Sequence, residues 1–183
     1  MTPDDRRFRL TSERLEIFPL TLEEFYLYLT DRDAFAALFQ FPPPLDWHAF
    51  QTERAITSFY DAALRADPAE YFWRTLWIVK PRDRDLMLGH ICFHAPPVNR
   101  RVEIAYTTET ARRNCGVMTD ALRLLLARLA ERPDVDCVIA ETKRDNLASA
   151  RVLQKNGFRR DSSQPCKGYV QWRLDLSTLR RSE

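Results

Sequence analysis

The sequence predicts one mixed α/β domain, because segments with strand and helix patterns alternate along the chain. Residues 102–108 and 135–142 have the pattern of strands and flank a helix that begins after Gly116. The apolar residues of that helix recur at helical spacing, whereas residues 135–142 are almost continuously apolar, as in a buried strand. A chain of 183 residues is long enough for one core, so we expect a single domain over residues 1–183.

The N-terminal half is predicted to contain a strand, two helices and three further strands. The first strand covers residues 15–20, and Thr21 caps a helix that begins with acidic residues. A second helix is predicted over residues 46–65 from its helical apolar spacing. The proline-rich segment 41–44 is interpreted as a connector, with a proline-rich ligand motif as the alternative. Strands are predicted at residues 72–79, 86–93 and 102–108.

The C-terminal half is predicted to contain two helices and three strands. The first helix runs from Gly116 to about Glu131, and the strand over residues 135–142 follows it. The second helix is bounded by Asn146 as its N-cap and by Gly157 as its stop. The last strands are predicted near residues 158–163 and 169–176.

Composition argues against several classes of protein. The net charge is only +2, which predicts no electrostatic attraction to nucleic acid or to acidic membranes. The cysteines form no CxxC pair and no cluster with metal-ligand spacing, so we expect free thiols and no metal. The polar N-terminus resembles no signal peptide, and no apolar run could span a bilayer. A cytoplasmic protein is therefore expected.

Two stretches of the chain carry signals for an anionic ligand. Residues 110–122 predict a turn through Gly116 into a helix N-terminus, where free N–H groups form an anion site. Residues 146–158 predict a capped helix that ends at Gly157. Together they predict a pyrophosphate site and a second helix that walls in the rest of a long cofactor.

These stretches resemble the GNAT superfamily of acetyl-CoA-dependent N-acyltransferases, and its RimJ/RimL-like branch in particular. The resemblance rests on residues 10–17, 103–122 and 146–158, and it extends over roughly residues 9–176. It implies a GNAT fold: a mixed, mostly antiparallel central sheet with flanking helices and two splayed central strands, residues 102–108 and 135–142. Acetyl-CoA would lie in the gap between those strands, and no metal would be needed.

The resemblance also implies which residues bind the cofactor. Backbone groups around Tyr106, Thr107 and Thr108 would pair with the pantetheine arm like an added strand, and one of those N–H groups would stabilise the oxyanion formed from the thioester. The expected cofactor residues are Tyr106, Thr107, Thr108, Arg112, Arg113, Asn114, Cys115, Gly116, Val117, Met118, Thr119, Asn146 and Ser149.

The loop departs from the family pattern at three positions. Asn114 stands at a glycine position, Cys115 at an often basic one, and Thr110 at a frequent proline. Asparagine tolerates positive φ, so Asn114 is expected to make the turn. Arg112 and Arg113 remain to contact phosphate, although both could simply be solvated. Cys115 is expected to be an ordinary loop thiol, with a reactive thiol as the alternative.

The family's frequent tyrosine acid is replaced by Leu153, so Ser149 is the candidate acid; a cofactor contact without chemistry is the alternative. Glu103 is the candidate base, acting directly or through water. The alternative is that Glu103 only forms a structural ion pair with an arginine. Glu141 is the second candidate for the base. His90 and His94 could take a proton at neutral pH, but each is predicted to lie on a strand surface.

The predicted reaction is direct acetyl transfer to a primary amine, which is either a protein N-terminus or a small molecule. The acceptor is expected to enter over the N-terminal helices and the turn at residues 96–100. One alternative is a non-catalytic acyl-CoA-binding or regulatory module, and another is a protein-interaction domain without CoA. The sequence leaves the choice between monomer and homodimer open.

Overall fold

The computed structural model describes residues 8–42, 53–162 and 168–180, and its centre is an eight-stranded sheet. The order across the sheet is β1-β2-β3-β4-β5-β6-β8-β7, and all neighbours are antiparallel except β5 and β6. The predicted mixed, mostly antiparallel sheet is therefore confirmed. The strands are β1 (Leu10–Thr11), β2 (Leu15–Pro19), β3 (Trp77–Pro81), β4 (Gly89–Phe93), β5 (Arg101–Thr108), β6 (Cys137–Lys143), β7 (Arg159–Asp161) and β8 (Tyr169–Asp175).

Six α-helices in the described ranges flank the sheet. Thr21 and Glu24 form a capping box at the first helix, as the sequence predicts, and Asp31 caps a separate second helix that the sequence analysis did not distinguish. The helices are α1 (Leu22–Thr30), α2 (Arg32–Phe39), α3 (Glu53–Arg65), α4 (Val117–Ala130), α5 (Leu147–Lys155) and α6 (Ser177–Arg180). No helix in these ranges is both long and apolar enough to cross a membrane.

Some predicted segments extend beyond the described residues. The predicted helix over 46–65 is observed as α3 from Glu53 onward, while residues 46–52 and prolines 43 and 44 lie outside the description. The same holds for Ser163, Cys166 and the polar N-terminus up to residue 7.

The prediction of a strand over residues 72–79 is wrong in its first half. Asp67 accepts a hydrogen bond from the N–H of Ala69, and a 3₁₀ helix runs from Pro68 to Trp73. Its aromatic residues pack onto β3 instead of joining it: the rings of Phe72 and Trp77 lie 4.7 Å apart, and Trp77 Nε1 donates to the carbonyl of Phe72. Burial in the core, and not strand pairing, explains the aromatic run.

Two cores lie on opposite faces of the sheet, because side chains alternate along each strand. On one face, Ile91, Phe93 and Ile104 pack against α4 and α5. On the other, Ile78 and Cys92 pack against residues of α1 and α2. The two faces therefore provide different surroundings for side chains that are neighbours in sequence.

The sheet opens between β5 and β6. These strands pair only from Arg101 opposite Cys137 to Ile104 opposite Ala140. β5 stays paired with β4 as far as Thr108, and β6 stays paired with β8 as far as Lys143. From Ala105 onward, one edge of β5 thus has no neighbouring strand in the described chain, and the predicted splay is present.

Candidate functional site

The open edge of β5 exposes backbone groups of alternate residues. The carbonyl of Glu103 accepts from the N–H of His94, and the N–H of Glu109 donates to Leu88, so odd-numbered residues bond toward β4. The amide and carbonyl groups of Tyr106 and Thr108 therefore point toward the gap. Those of Thr107, opposite His90, point toward β4, so Thr107 can contribute only its side chain to the gap.

The N-terminus of α4 lies beside this edge. Gly116 (φ 77°) is its N-cap, and Asn114 has a φ of 62°, which confirms the expectation that this asparagine tolerates the turn. The first helical hydrogen bond at this end runs from Asp120 to Gly116. The N–H groups of the first helical turn, from Val117 to Thr119, have no acceptor in the described residues and remain available to an anion.

Helix α5 forms the opposite wall, and both of its ends follow from local sequence. Asn146 Oδ1 accepts from the N–H of Ser149 at 3.1 Å, which confirms the N-cap prediction; its Nδ2 group has no hydrogen-bond partner among the residues that the structure describes. At the other end, Gly157 (φ 84°) bonds to Gln154 and Phe158 bonds to Leu153, which is a Schellman motif. The predicted glycine stop is thus confirmed.

The Tyr106 side chain joins these two walls, a role that the sequence analysis missed. Its hydroxyl donates to the carbonyl of Ser149 at 3.0 Å, and burial raises the pKa of the phenol above its usual value. The alternation of side chains along β5 places Tyr106 on the face that carries α4 and α5, and this pattern could have predicted its contact with α5. The hydrogen bond sets the distance between β5 and α5.

A cavity of about 400 Å³ lies between β5, the α4 N-terminus and α5. All of the predicted cofactor residues line it, so the structure brings them together. Four further residues were not predicted: Ala148, Arg151, Val152 and Lys155. They occupy one face of α5 at helical spacing, and this pattern could have identified them.

The charge of this cavity is one-sided. Arg112, Arg113, Arg151 and Lys155 line it, and no described lining residue carries a carboxylate. Arg112 Nε lies 3.7 Å from Glu109 Oε2, and Arg113 Nε donates to the carbonyl of Thr108. The two cations on α5 form no ion pair within the described chain, which leaves them available to an anionic ligand.

Glu103 lies apart from this cavity, on the sheet face that carries α1 and α2. Its carboxylate is 28% exposed and lies 3.1 Å from His94 Nδ1, so its ionic partner is a histidine and not the arginine that the structural alternative assumed. The pair borders a second cavity of about 320 Å³. The lining residues are His94, Ala95, Pro96, Val98, Asn99, Arg101, Val102, Glu103 and Ile139.

The two histidines of β4 and its end have opposite surroundings. His94 is 53% exposed, as predicted, and its hydrogen bond to Glu103 raises its pKa. The prediction of a surface position is wrong for His90, because α1 covers that part of the sheet. The ring of Tyr28 packs against the imidazole, with the two ring centroids 6.1 Å apart. Burial lowers the pKa of His90 to about 4, so it stays neutral near neutral pH.

Cys115 is exposed in the loop, where its sulfur lies 3.4 Å from the carbonyl of Arg113. Cys92 and Cys137 are also free thiols. Within the described ranges, no group of three or more histidine, cysteine, aspartate or glutamate side chains could hold a metal ion.

Comparison with known proteins identifies the family. Residues 14–159 match the acetyltransferase (GNAT) domain. The uncharacterized N-acetyltransferases YjdG and YnaD of Bacillus subtilis (strain 168) are 30% identical over 83 residues and 29% identical over 80 residues. These alignments cover 45% of this chain with 49% of YjdG, and 44% of this chain with 47% of YnaD, so the chain spans about half the length of these relatives.

Solved structures share the fold. A GNAT-family acetyltransferase from Bacillus anthracis has a TM-score of 0.62 at 18% identity, over 93% of this chain and 99% of that one. RimL, a ribosomal L7/L12 alpha-N-protein acetyltransferase in complex with coenzyme A, has a TM-score of 0.61 at 16% identity, over 91% and 97%. Mycobacterium smegmatis RimJ, in complex with CoA-disulfide, has a TM-score of 0.60 at 16% identity, over 90% and 83%. With the domain match over most of its length, the chain belongs to the GNAT acetyltransferase family.

Proposed function

We propose that this protein transfers the acetyl group of acetyl-CoA directly to a primary amine. The observation that carries the proposal is the cavity of about 400 Å³. It combines an open strand edge, a helix N-terminus with free N–H groups and four cations without a lining carboxylate. These features suit a ligand with a phosphate-rich end and a chain of amide groups, which is the chemistry of coenzyme A.

The proposed binding mode assigns each wall to one part of the ligand. The pyrophosphate contacts the N–H groups at the start of α4, where the helix dipole and Arg112 or Arg113 favour negative charge. The pantetheine amides pair with Tyr106 and Thr108 along the open edge of β5. The complexes of RimL with coenzyme A and RimJ with CoA-disulfide support this use of the fold.

The proposed chemistry needs a deprotonated amine, a polarised thioester and a proton for the leaving thiolate. A backbone N–H of the open edge stabilises the oxyanion that forms when the amine attacks the carbonyl carbon. Ser149 lines the cavity and is the proposed donor to the thiolate. Glu103, on the other sheet face, is the residue that the sequence predicts as the base, acting directly or through water.

The proposed acceptor is a primary amine of a protein N-terminus or of a small molecule. The ribosomal-protein acetyltransferases among the structural neighbours support the first, but fold similarity alone does not select the acceptor. The amine approaches on the α1 and α2 side, where the second cavity opens between the turn after β4 and the pair Glu103 and His94. A cytoplasmic location is proposed because free thiols suit a reducing compartment.

The first test is thermal melting with and without acetyl-CoA, on the parent and on Gly116→Trp. Ligand at a hundred times Kd stabilises by about 2.7 kcal/mol, which corresponds to roughly 5–11 °C for a chain of this size. Trp at Gly116 fills the entrance to the α4 N-terminus and abolishes this shift. Gly168→Trp is the matched control, because Gly168 also has positive φ and open space but lines neither cavity described above.

Release of CoA thiol is then measured with a panel of peptides and small amines. Transfer to a primary amine supports the enzyme. A thermal shift without turnover on any amine would instead support an acyl-CoA-binding module. No shift in the parent would contradict the cofactor assignment and favour an interaction domain.

A further inference from the structure

His94 and Glu103 form a pair with a defined proton arrangement. His94 follows the last residue of β4, and its Nδ1 lies 3.1 Å from Glu103 Oε1 on the adjacent strand. An ionised carboxylate has no proton to donate and acts only as a hydrogen-bond acceptor, so the proton between the two groups belongs to Nδ1 of His94. The second ring nitrogen, Nε2, then has the lone pair, and the imidazole is 53% exposed. The pair therefore presents a proton acceptor and not a carboxylate to its surroundings.

The pair is placed where the gap between β5 and β6 begins. Glu103 lies opposite Ile139, and the last paired residues are Ile104 and Ala140. Ala105, the first residue of the open edge, is two positions beyond Glu103, which is roughly 7 Å along a strand. Its side chain lies on the same face as Glu103, because alternate residues of a strand share a face.

The cavity of about 320 Å³ lies beside this point, at the paired end of β5 and β6. It is formed by the turn after β4 together with β5 and Ile139 of β6, and both His94 and Glu103 line it. The cationic cavity lies on the other side of the same gap, where Tyr106 contacts α5. The two cavities share no lining residue, so transfer requires the acetyl thioester to reach through the gap from the first cavity to the amine in the second.

We propose that His94 Nε2 is the catalytic base that takes the proton from the acceptor ammonium, and that Glu103 is a positioning residue that holds the imidazole. This inference rests on the proposed function, and it changes the role first expected for Glu103. The ammonium transfers one proton to Nε2, and the neutral amine attacks the carbonyl carbon of the acetyl thioester. A C–N bond forms and the C–S bond breaks; the second proton lost by the nitrogen reaches the leaving thiolate through Ser149, and the imidazolium releases its own proton to solvent.

The charges around His94 suit this role. The hydrogen bond that His94 donates to Glu103 is the largest cause of the raised pKa of His94, and the negative charges of Glu103 and Glu141 act in the same direction. Desolvation acts against them, and Arg101 is a cation in the same cavity. A base with a raised pKa accepts a proton from an ammonium more readily than an unperturbed imidazole.

The test compares His94→Gln, Glu103→Gln and Glu141→Gln with the parent. We expect His94→Gln to lower kcat by roughly 100-fold or more, with an unchanged acetyl-CoA thermal shift, because general base catalysis contributes about that much. Glu103→Gln should move the acidic limb of the pH–rate profile to lower pH, because the imidazole loses its carboxylate partner. Glu141→Gln is the matched control and should move that limb less, since Glu141 contributes the smallest effect on the pKa of His94.

A second measurement does not depend on turnover. NMR titration of the ring of His94 should show a pKa above that of a free histidine in the parent and a lower one in Glu103→Gln. A parent value at or below the free value would overturn the proposal, because the pair would not exist in solution. An active parent whose His94→Gln variant keeps its rate, while Glu103→Gln abolishes it, would make Glu103 the base and refute this inference alone. A parent that binds acetyl-CoA but acetylates no amine would refute the proposed function, and this inference with it.

Discussion

The buried histidine of β4 makes the stability of this protein depend on pH in a calculable way. His90 lies in the second core against Tyr28, and burial lowers its pKa from 6.5 to about 4. Since the folded-state pKa is the lower one, the stabilisation is present above pH 6.5 and is lost as pH falls toward 4. The unfolded chain takes up a proton in that window and the folded chain does not.

The size of the effect follows from the same two values. Each pH unit within the window costs up to about 1.4 kcal/mol. The loss attributable to His90 is therefore about 1 kcal/mol at pH 5.5 and roughly 2–3 kcal/mol at pH 4.5. The substitution His90→Gln removes the titrating group, so this part of the pH dependence should disappear even if the variant is less stable at every pH.

The assay is urea denaturation of the parent and of His90→Gln at several pH values from about 7.5 to 4.5. The difference in the free energy of unfolding, parent minus variant, should shrink as pH falls. His94→Gln is the matched control, because the pKa of His94 is raised, so its stabilisation is present at low pH and is lost as pH rises. The corresponding difference should therefore change in the opposite direction, and by less, because His94 is 53% exposed.

A constant difference between the parent and His90→Gln over the whole range would refute this reasoning. It would mean that His90 titrates alike in the folded and unfolded chains, and hence that water reaches the imidazole. A difference that grows on acidification would mean that an anionic partner holds the imidazolium.

Three other substitutions test the contacts that hold the elements around the cationic cavity in place. Tyr106→Phe should lower the free energy of unfolding by about 1 kcal/mol and the melting temperature by roughly 2–4 °C, because the hydrogen bond to α5 is lost. Tyr26→Phe, at a residue that is 52% exposed, should leave both quantities unchanged. Equal effects of the two substitutions would contradict the hydrogen bond to α5. Gly89→Ala should lower the free energy of unfolding by roughly 1–3 kcal/mol and weaken the acetyl-CoA thermal shift, because the added Cβ would lie 2.2 Å from the carbonyl oxygen of Thr107. An unchanged melting temperature would mean that β4 and β5 lie farther apart. Asn156→Ala should cost roughly 1–3 kcal/mol in urea denaturation, because the buried amide donates to carbonyls of α4 and α5; a neutral result would show that these helices do not depend on it.

The sequence predicted best the features that depend on nearby residues. The capping box at Thr21, the turn at Asn114 and the glycine stop at Gly157 are local devices, and all three are present. Most of the expected cofactor residues belong to two continuous stretches. Since each stretch is a single turn and helix, its residues stay together in the fold, and all of them line one cavity.

The failures have non-local causes. Residues 72 and 73 belong to a predicted strand, but they lie in a 3₁₀ helix whose aromatic rings pack against β3. His90 is predicted to lie at a surface, but Tyr28 of α1 covers it, and the sequence of β4 does not reveal that contact. In both cases the deciding contact comes from an element that packs against the residue in space.

The sequence by itself determined the family, the order of strands and helices and the loop that would hold an anion, because these depend on spacing along the chain. Only the tertiary structure decided which side chains lie on each side of the gap between β5 and β6. Strand register sets His94 against Glu103, and the approach of α5 adds Arg151 and Lys155 to the cationic cavity. Register and helix packing depend on the simultaneous burial of both sheet faces, and no single segment of sequence specifies that balance.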